Sequence, residues 1–146
     1  MKIKLEDDLS REDIEVLIKY ARWNPTVRRI AAFMESVDKT VKCTSDASEL
    51  WVNVGDIYYI ESVDKKTFVY CQDSVYRSEL RLYQLMEELG NAGFVQVSKA
   101  CIINLQVLTG IRPLLNSRME ATLTNGEKIN ITRKYVASIR EKLQER

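Results

Sequence analysis

The chain has no histidine, and this absence excludes more than any other feature of its composition. Histidine is the commonest general base and orients most serine and cysteine nucleophiles, so enzyme classes built on it lose their best candidate. Only three cysteines occur, Cys43, Cys71 and Cys101. They are far apart, odd in number and each inside a strand-like run, which reads as reduced, buried thiols. With no histidine and no paired cysteine spacing, no metal site is expected. Glycine and proline are sparse, and no Gly-rich loop has the spacing that cradles phosphate. No apolar run approaches the roughly 20 residues that span a bilayer. The N-terminus, Met1 to Glu6, lacks the apolar stretch of a signal peptide, so a cytoplasmic location is expected. No cofactor and no small-molecule substrate are implied.

What is present is enough for one domain with a core, or one domain with a short appendage. The formal net charge of +1 conceals an uneven distribution. Residues 1–50 hold 9 Lys/Arg against 10 Asp/Glu, whereas residues 99–140 hold 7 Lys/Arg against only Glu120 and Glu127. A basic block that alternates with apolar strands suits a surface that faces a polyanion. A solvated face with scattered cations is the plainer reading of the same block.

Ser10 followed by acids reads as a helix start, with Ile14, Leu17, Ile18 and Ala21 at helical spacing. Asn24-Pro25 restarts the chain, and Val27, Ile30, Ala31 and Met34 predict a second helix to about Val37. Residues 1–45 are therefore expected to form an N-terminal helical segment of two short helices, with a dimerisation, regulatory or purely structural role. From Thr40 the period changes to short runs of β-branched and aromatic residues. Leu80 to Leu89 reads as a short helix stopped by Gly90 as a left-handed cap. Asn125-Gly126 predicts a type I′ hairpin. Thr132 is placed to cap a last helix from Arg133 to about Leu143. There is no βαβ rhythm, so the expectation is a mainly β fold with short helices and an antiparallel or mixed sheet.

Two segments carry the functional signal. Phe94-Val95-Gln96-Val97-Ser98-Lys99-Ala100-Cys101-Ile102-Ile103-Asn104 and, further on, Lys128 to Tyr135 are apolar strands that each end in small polar residues and a cation. With the strand Asp56-Ile57-Tyr58-Tyr59-Ile60-Glu61-Ser62, the helix ending near Gly90-Asn91 and the Asn125-Gly126 turn, their order resembles the LytTR family of DNA-binding domains. The resemblance covers about residues 50–143 of the 146, and residues 46–146 are expected to form the domain. It implies a compact domain of mostly antiparallel β-sheet that reads DNA with loops between strands, placed in successive major grooves.

Carried onto this sequence, the resemblance puts the DNA contacts at Lys65, Lys66 and Thr67, at Ser98 and Lys99, and at Thr132, Arg133 and Lys134. The residue chemistry fits. A guanidinium fork at Arg133 matches guanine O6 and N7, and Lys99 can reach a base edge or phosphate as a point charge. Ser98 and Thr132 can donate hydroxyls to phosphate, although Thr132 equally suits a helix cap. Arg112 and Arg118 are weaker candidates. Many family members have Arg where Gln96 stands, His at Ser98 and Ser at Ala100; this chain follows a subset with Ser-Lys.

The resemblance implies a sequence-specific transcriptional regulator acting as a homodimer on repeated promoter sites in double-stranded DNA. About fifty residues precede the module, too few for a receiver domain, so phosphorelay control is not expected. A membrane-bound regulatory partner protein is a further implication of the resemblance alone. Two rival readings stand beside it: a basic-faced protein-interaction module and an RNA-binding protein. RNA binding calls for exposed aromatics that stack on bases. Tyr58, Tyr59, Phe68, Tyr70 and Tyr76 sit at strand spacing, which favours core or half-buried roles.

Overall fold

A computed structural model describes residues 1–144. Asn24 caps the first helix, α1 (Pro25–Val37), by accepting from the Val27 amide at 3.0 Å, with Pro25 at the first helical position. The chain then runs through β1 (Thr40–Ser45), β2 (Ser48–Asn53), β3 (Ile57–Val63), β4 (Lys66–Cys71) and β5 (Val75–Ser78). The helix α2 (Leu82–Leu89) precedes β6 (Phe94–Ser98) and β7 (Cys101–Asn104). A second group, β8 (Leu108–Pro113), β9 (Met119–Leu123) and β10 (Lys128–Ile131), leads into α3 (Arg133–Gln144).

All strand pairings are antiparallel. The main sheet has seven strands in the order β2-β1-β5-β4-β3-β7-β6, and the smaller one has three in the order β10-β9-β8. The half of the main sheet containing β3, β7 and β6 is covered on both faces. Ile60, Val69, Phe94 and Ile102 pack with Leu85 and Leu89 of α2. On the other face Tyr59, Val97 and Ile103 meet Ala121, Leu123, Ile131 and Ile139 of the smaller sheet and α3. Every residue of β7 is buried, which explains why it reads as a continuous apolar run rather than an alternating one.

Buried Asn104 ties the far end of this half together. Its Nδ2 donates to the Ile57 carbonyl at 2.9 Å, and its Oδ1 accepts from the Gln106 amide at 3.0 Å. Helix α1 lies on the outside of the domain, with Val27 and Ser36 buried beneath it. Ala32 of α1 faces Gly93, where an added Cβ would make an ordinary 3.6 Å contact with the Ala32 Cβ.

Four expectations are corrected. The helix over Ser10 to Ala21 is absent: residues 1–24 hold only turns and bends, and Asp8 rather than a helix engages Ser10, accepting from its amide and hydroxyl. The periodic apolar face has nothing to pack against, and isolated helices under about 12–15 residues are marginal in water. Second, the N-terminal segment is not wholly helical, because β1 joins the main sheet from Thr40. Third, the left-handed residue after α2 is Gly93 (φ 90°), reached through a 3₁₀ turn, whereas Gly90 stays right-handed (φ −56°). Fourth, the Asn125-Gly126 turn is not type I′, since only Gly126 has positive φ (87°); the Asn125 side chain instead accepts from the Glu127 amide at 3.0 Å.

Candidate nucleic-acid interface

Strand direction decides which turns meet. β3 runs antiparallel to β4 and β7, and β7 antiparallel to β6, so the β3–β4 and β6–β7 turns emerge from one end of the sheet. A hydrogen bond from the Ser62 amide to the Ala100 carbonyl at 2.8 Å links them. The third turn joins through the edge strand β6, where the Thr132 amide donates to the Val97 carbonyl at 2.9 Å. The β3–β4, β6–β7 and β10–α3 turns therefore form a row along one end of the molecule.

The first turn has Asp64 and Lys65 both at positive φ (52° and 64°), the geometry of a two-residue type I′ hairpin. Lys65 and Lys66 are exposed there. Thr67 is not: it is 3% exposed, opposite buried Ser78. Period-2 alternation sends Thr67 inward with Val69, so its expected DNA contact is corrected; it offers no surface group.

The second turn is re-aimed by a register shift between Gln96 and Ser98. A bulge of this kind twists a strand end and redirects its side chains. Lys99 is exposed at the tip. The Ser98 hydroxyl oxygen accepts from the Ala100 amide at 3.3 Å, which leaves its proton free to donate outward. The third turn carries Thr132, Arg133 and Lys134, all exposed. The Thr132 hydroxyl lies 3.5 Å from the Val97 carbonyl as donor, so it helps to fasten the start of α3 to β6. Arg133 and Lys134 ride on the first turn of α3, whose buried Ile139 anchors the helix in the second core.

Two features were not foreseen. Arg81, at the start of α2, shares an open groove of about 840 Å³ with Ser62, Gln96 and Lys99. It lies 18 residues from Lys99 in sequence, and only sheet pairing brings them together. Arg112 is engaged at close range: its Nε donates to Glu120 at 2.8 Å, and this bond holds the Glu120 carboxyl below the usual carboxylate range. That pairing makes Arg112 a poorer cation for an outside partner.

Of the strand aromatics weighed for base stacking, Tyr59 offers no free face. Tyr59 is buried and stacks on Tyr70, with ring centroids 4.2 Å apart and planes 9° from parallel. No group of His, Cys, Asp and Glu among the described residues is arranged to hold a metal ion. No helix of the described residues is long and apolar enough to cross a membrane.

The chain is thus a two-sheet β module with cationic turns gathered at one end. Residues 48–144 match the model of the family described as the LytTr DNA-binding domain, and the chain belongs to that family. A solved LytTr DNA-binding domain of a methyl-accepting/DNA response regulator from Bacillus cereus has the same fold, with a TM-score of 0.69 at 22% identity. That likeness covers 73% of this chain and 97% of the solved one. Among curated proteins, Sensory transduction protein LytT of Enterococcus faecalis is 27% identical over 60% of this chain and 36% of its own length. The Bacillus anthracis protein of the same name is 25% identical over 90% of this chain and 55% of its own length. The chain thus spans roughly a third to a half of these relatives. A Staphylococcus aureus protein named as an HTH-type transcriptional regulator matches end to end, at 23% identity over 98% of both chains.

Proposed function

We propose that this protein is a sequence-specific DNA-binding transcriptional regulator that reads major grooves with its inter-strand turns, two copies acting on repeated sites. The observation that carries the reading is the single row of turns bearing Lys65, Lys66, Lys99, Arg133 and Lys134. Family membership supports DNA as the partner, and relatives named as sensory transduction proteins and as a transcriptional regulator support a regulatory role.

Dimensions fit the proposed geometry. Strands lie about 4.8 Å apart, so the row from the β3–β4 turn to Thr132 spans on the order of 17 Å, before lysine and arginine side chains extend it at each end. That reach approaches the ~34 Å between successive major grooves on one face of a duplex. In this reading Arg133 reads a guanine edge in one groove, and Lys65 and Lys66 enter the next. Lys99 and Ser98 lie between them, over the intervening backbone. A modest bend in the duplex closes the remaining gap. The HTH label of the Staphylococcus relative does not carry over, since each α-helix of the described residues is separated from the next by strands.

Selection of binding sites from a random duplex pool tests the proposal. An enriched motif, repeated at helical spacing, is expected. Equal retention of specific and scrambled duplexes would instead favour a basic-faced interaction module.

A further inference from the structure

Arg81 is a poor residue for the place it holds in the fold. It occupies the cap position of α2, where Ser, Thr, Asp and Asn are favoured because their oxygen accepts from a first-turn amide. A guanidinium carries only donors, so its side chain caps nothing. Gln84 supplies the reciprocal bond alone, its Oε1 accepting from the Arg81 amide at 2.8 Å. The Arg81 charge also meets the positive end of the helix dipole, which favours anions. Among the described residues no carboxylate pairs with it. A local choice that runs against stability points to function.

Topology carries Arg81 to the end of the molecule that bears the cationic turns. β4 leaves the β3–β4 turn and β5 returns to it, with Thr67 opposite Ser78. The buried Ser78 hydroxyl then accepts from the Leu80 amide at 3.1 Å, which leads the chain into α2 at that same end. Arg81 is exposed there and lines one groove with Ser62, Gln96 and Lys99. Ser62 and Gln96 lie two residues beyond Ile60 and Phe94, so by alternation they share the sheet face that α2 covers. Arg81 therefore stands to one side of the row of turns, across the groove from the middle one.

We propose that Arg81 and Lys99 together hold one backbone phosphate of the bound duplex at the mouth of this groove, making the start of α2 a fourth contact. The proposal rests on the DNA reading, in which Lys99 lies over the backbone between two major grooves. A phosphate reverses both local penalties, since it places an anion at the helix N-terminus beside a fork of donors. Ser62 and Gln96 add neutral hydrogen-bonding groups to the groove. Glu87 lines it too, six residues and about 9 Å further along the helix. Its charge keeps a polyanion from running the length of the groove and limits the site to its mouth. A contact of this kind positions the duplex and carries no base preference.

The test compares Arg81→Ser and Arg81→Lys with the wild type, all as full chains. Serine restores a cap and removes the charge, so the melting midpoint should rise by about 2–4 °C. Affinity should fall about fivefold at about 0.15 M salt on selected and scrambled duplexes alike, with the salt slope flatter by about one ion. Arg81→Lys keeps the charge and should keep the slope. In phosphate ethylation interference on the selected duplex, one backbone position between the two grooves should block the wild type and no longer block Arg81→Ser. Wild-type affinity and salt slope in Arg81→Ser would overturn the inference and leave the DNA reading intact. A lowered melting midpoint would overturn it as well, by assigning the guanidinium to the fold. A wild type that does not prefer selected over scrambled duplexes removes the DNA reading itself, and this inference with it.

Discussion

The Thr132 amide donates to the Val97 carbonyl at 2.9 Å, and this single backbone bond couples the two turns that carry Lys99 and Arg133. One turn closes the main sheet and the other opens α3, so neither position follows from local sequence. Their adjacency follows from β10 ending beside the edge strand β6.

Arg133→Ala should separate binding from folding. The side chain is exposed on a helix whose anchor is Ile139, so stability should move by less than about 0.5 kcal/mol. Loss of a bidentate guanine contact should cost about 1–3 kcal/mol on the selected site and relax specificity at one position. Gel shifts on selected and scrambled duplexes, with a thermal melt, report both effects. Unchanged sequence preference would remove Arg133 from the site.

Lys134→Ala should behave differently. A phosphate contact carries no sequence information, so affinity should fall on all duplexes alike. The slope of log affinity against log salt should flatten by about one ion. A loss confined to the selected site would show that Lys134 reads bases.

Replacing Asp64-Lys65 by Asn-Gly should move stability and affinity in opposite directions. Both native residues hold positive φ, where a side chain costs energy that glycine avoids. The hairpin should gain a few tenths to about 1 kcal/mol in urea unfolding. DNA affinity should drop through loss of the Lys65 charge. Equal affinity in the variant would place this turn off the duplex.

The thiols should be inert in the folded protein. Burial pushes Cys43 and Cys71 up to about 11 and Cys101 up to about 12, from an ordinary value of 9.0, so all three are neutral thiols at pH 8. Iodoacetamide should label them only after unfolding. The unfolded chain releases these protons first, near pH 9, so their contribution to stability is complete below that pH and declines as pH rises toward 12. Rapid labelling of the native protein would contradict this.

What the sequence disclosed divides along physical lines. The strands from Thr40 to Ile131 were legible because period-2 patterning and β-branched content are local properties. α1 was legible because Asn24 and Pro25 mark its start. The helix expected from Ser10 failed because its pattern specifies a face without specifying what covers it. Gly90 and Gly93 lie three residues apart, and composition alone does not say which one turns left-handed. Thr67 sits one residue inside its strand, and the pleat turned it inward. Arg81 carries no local signal, because its nearness to Lys99 is a property of the sheet. Lys65, Lys66, Ser98, Lys99, Thr132, Arg133 and Lys134 are expected contacts through family order alone; the folded chain brings their turns to one end, and their contact with DNA is part of the proposal.

Guanine N7 methylation interference on the selected duplex tests the central claim most directly. Methylation should block binding at guanines in two neighbouring major grooves, one helical turn apart on one face. Arg133→Ala should abolish interference in one groove only, and a Lys65→Ala, Lys66→Ala double variant in the other only. Interference confined to a single groove, or unchanged by both variants, would contradict the arrangement of the three turns along the duplex.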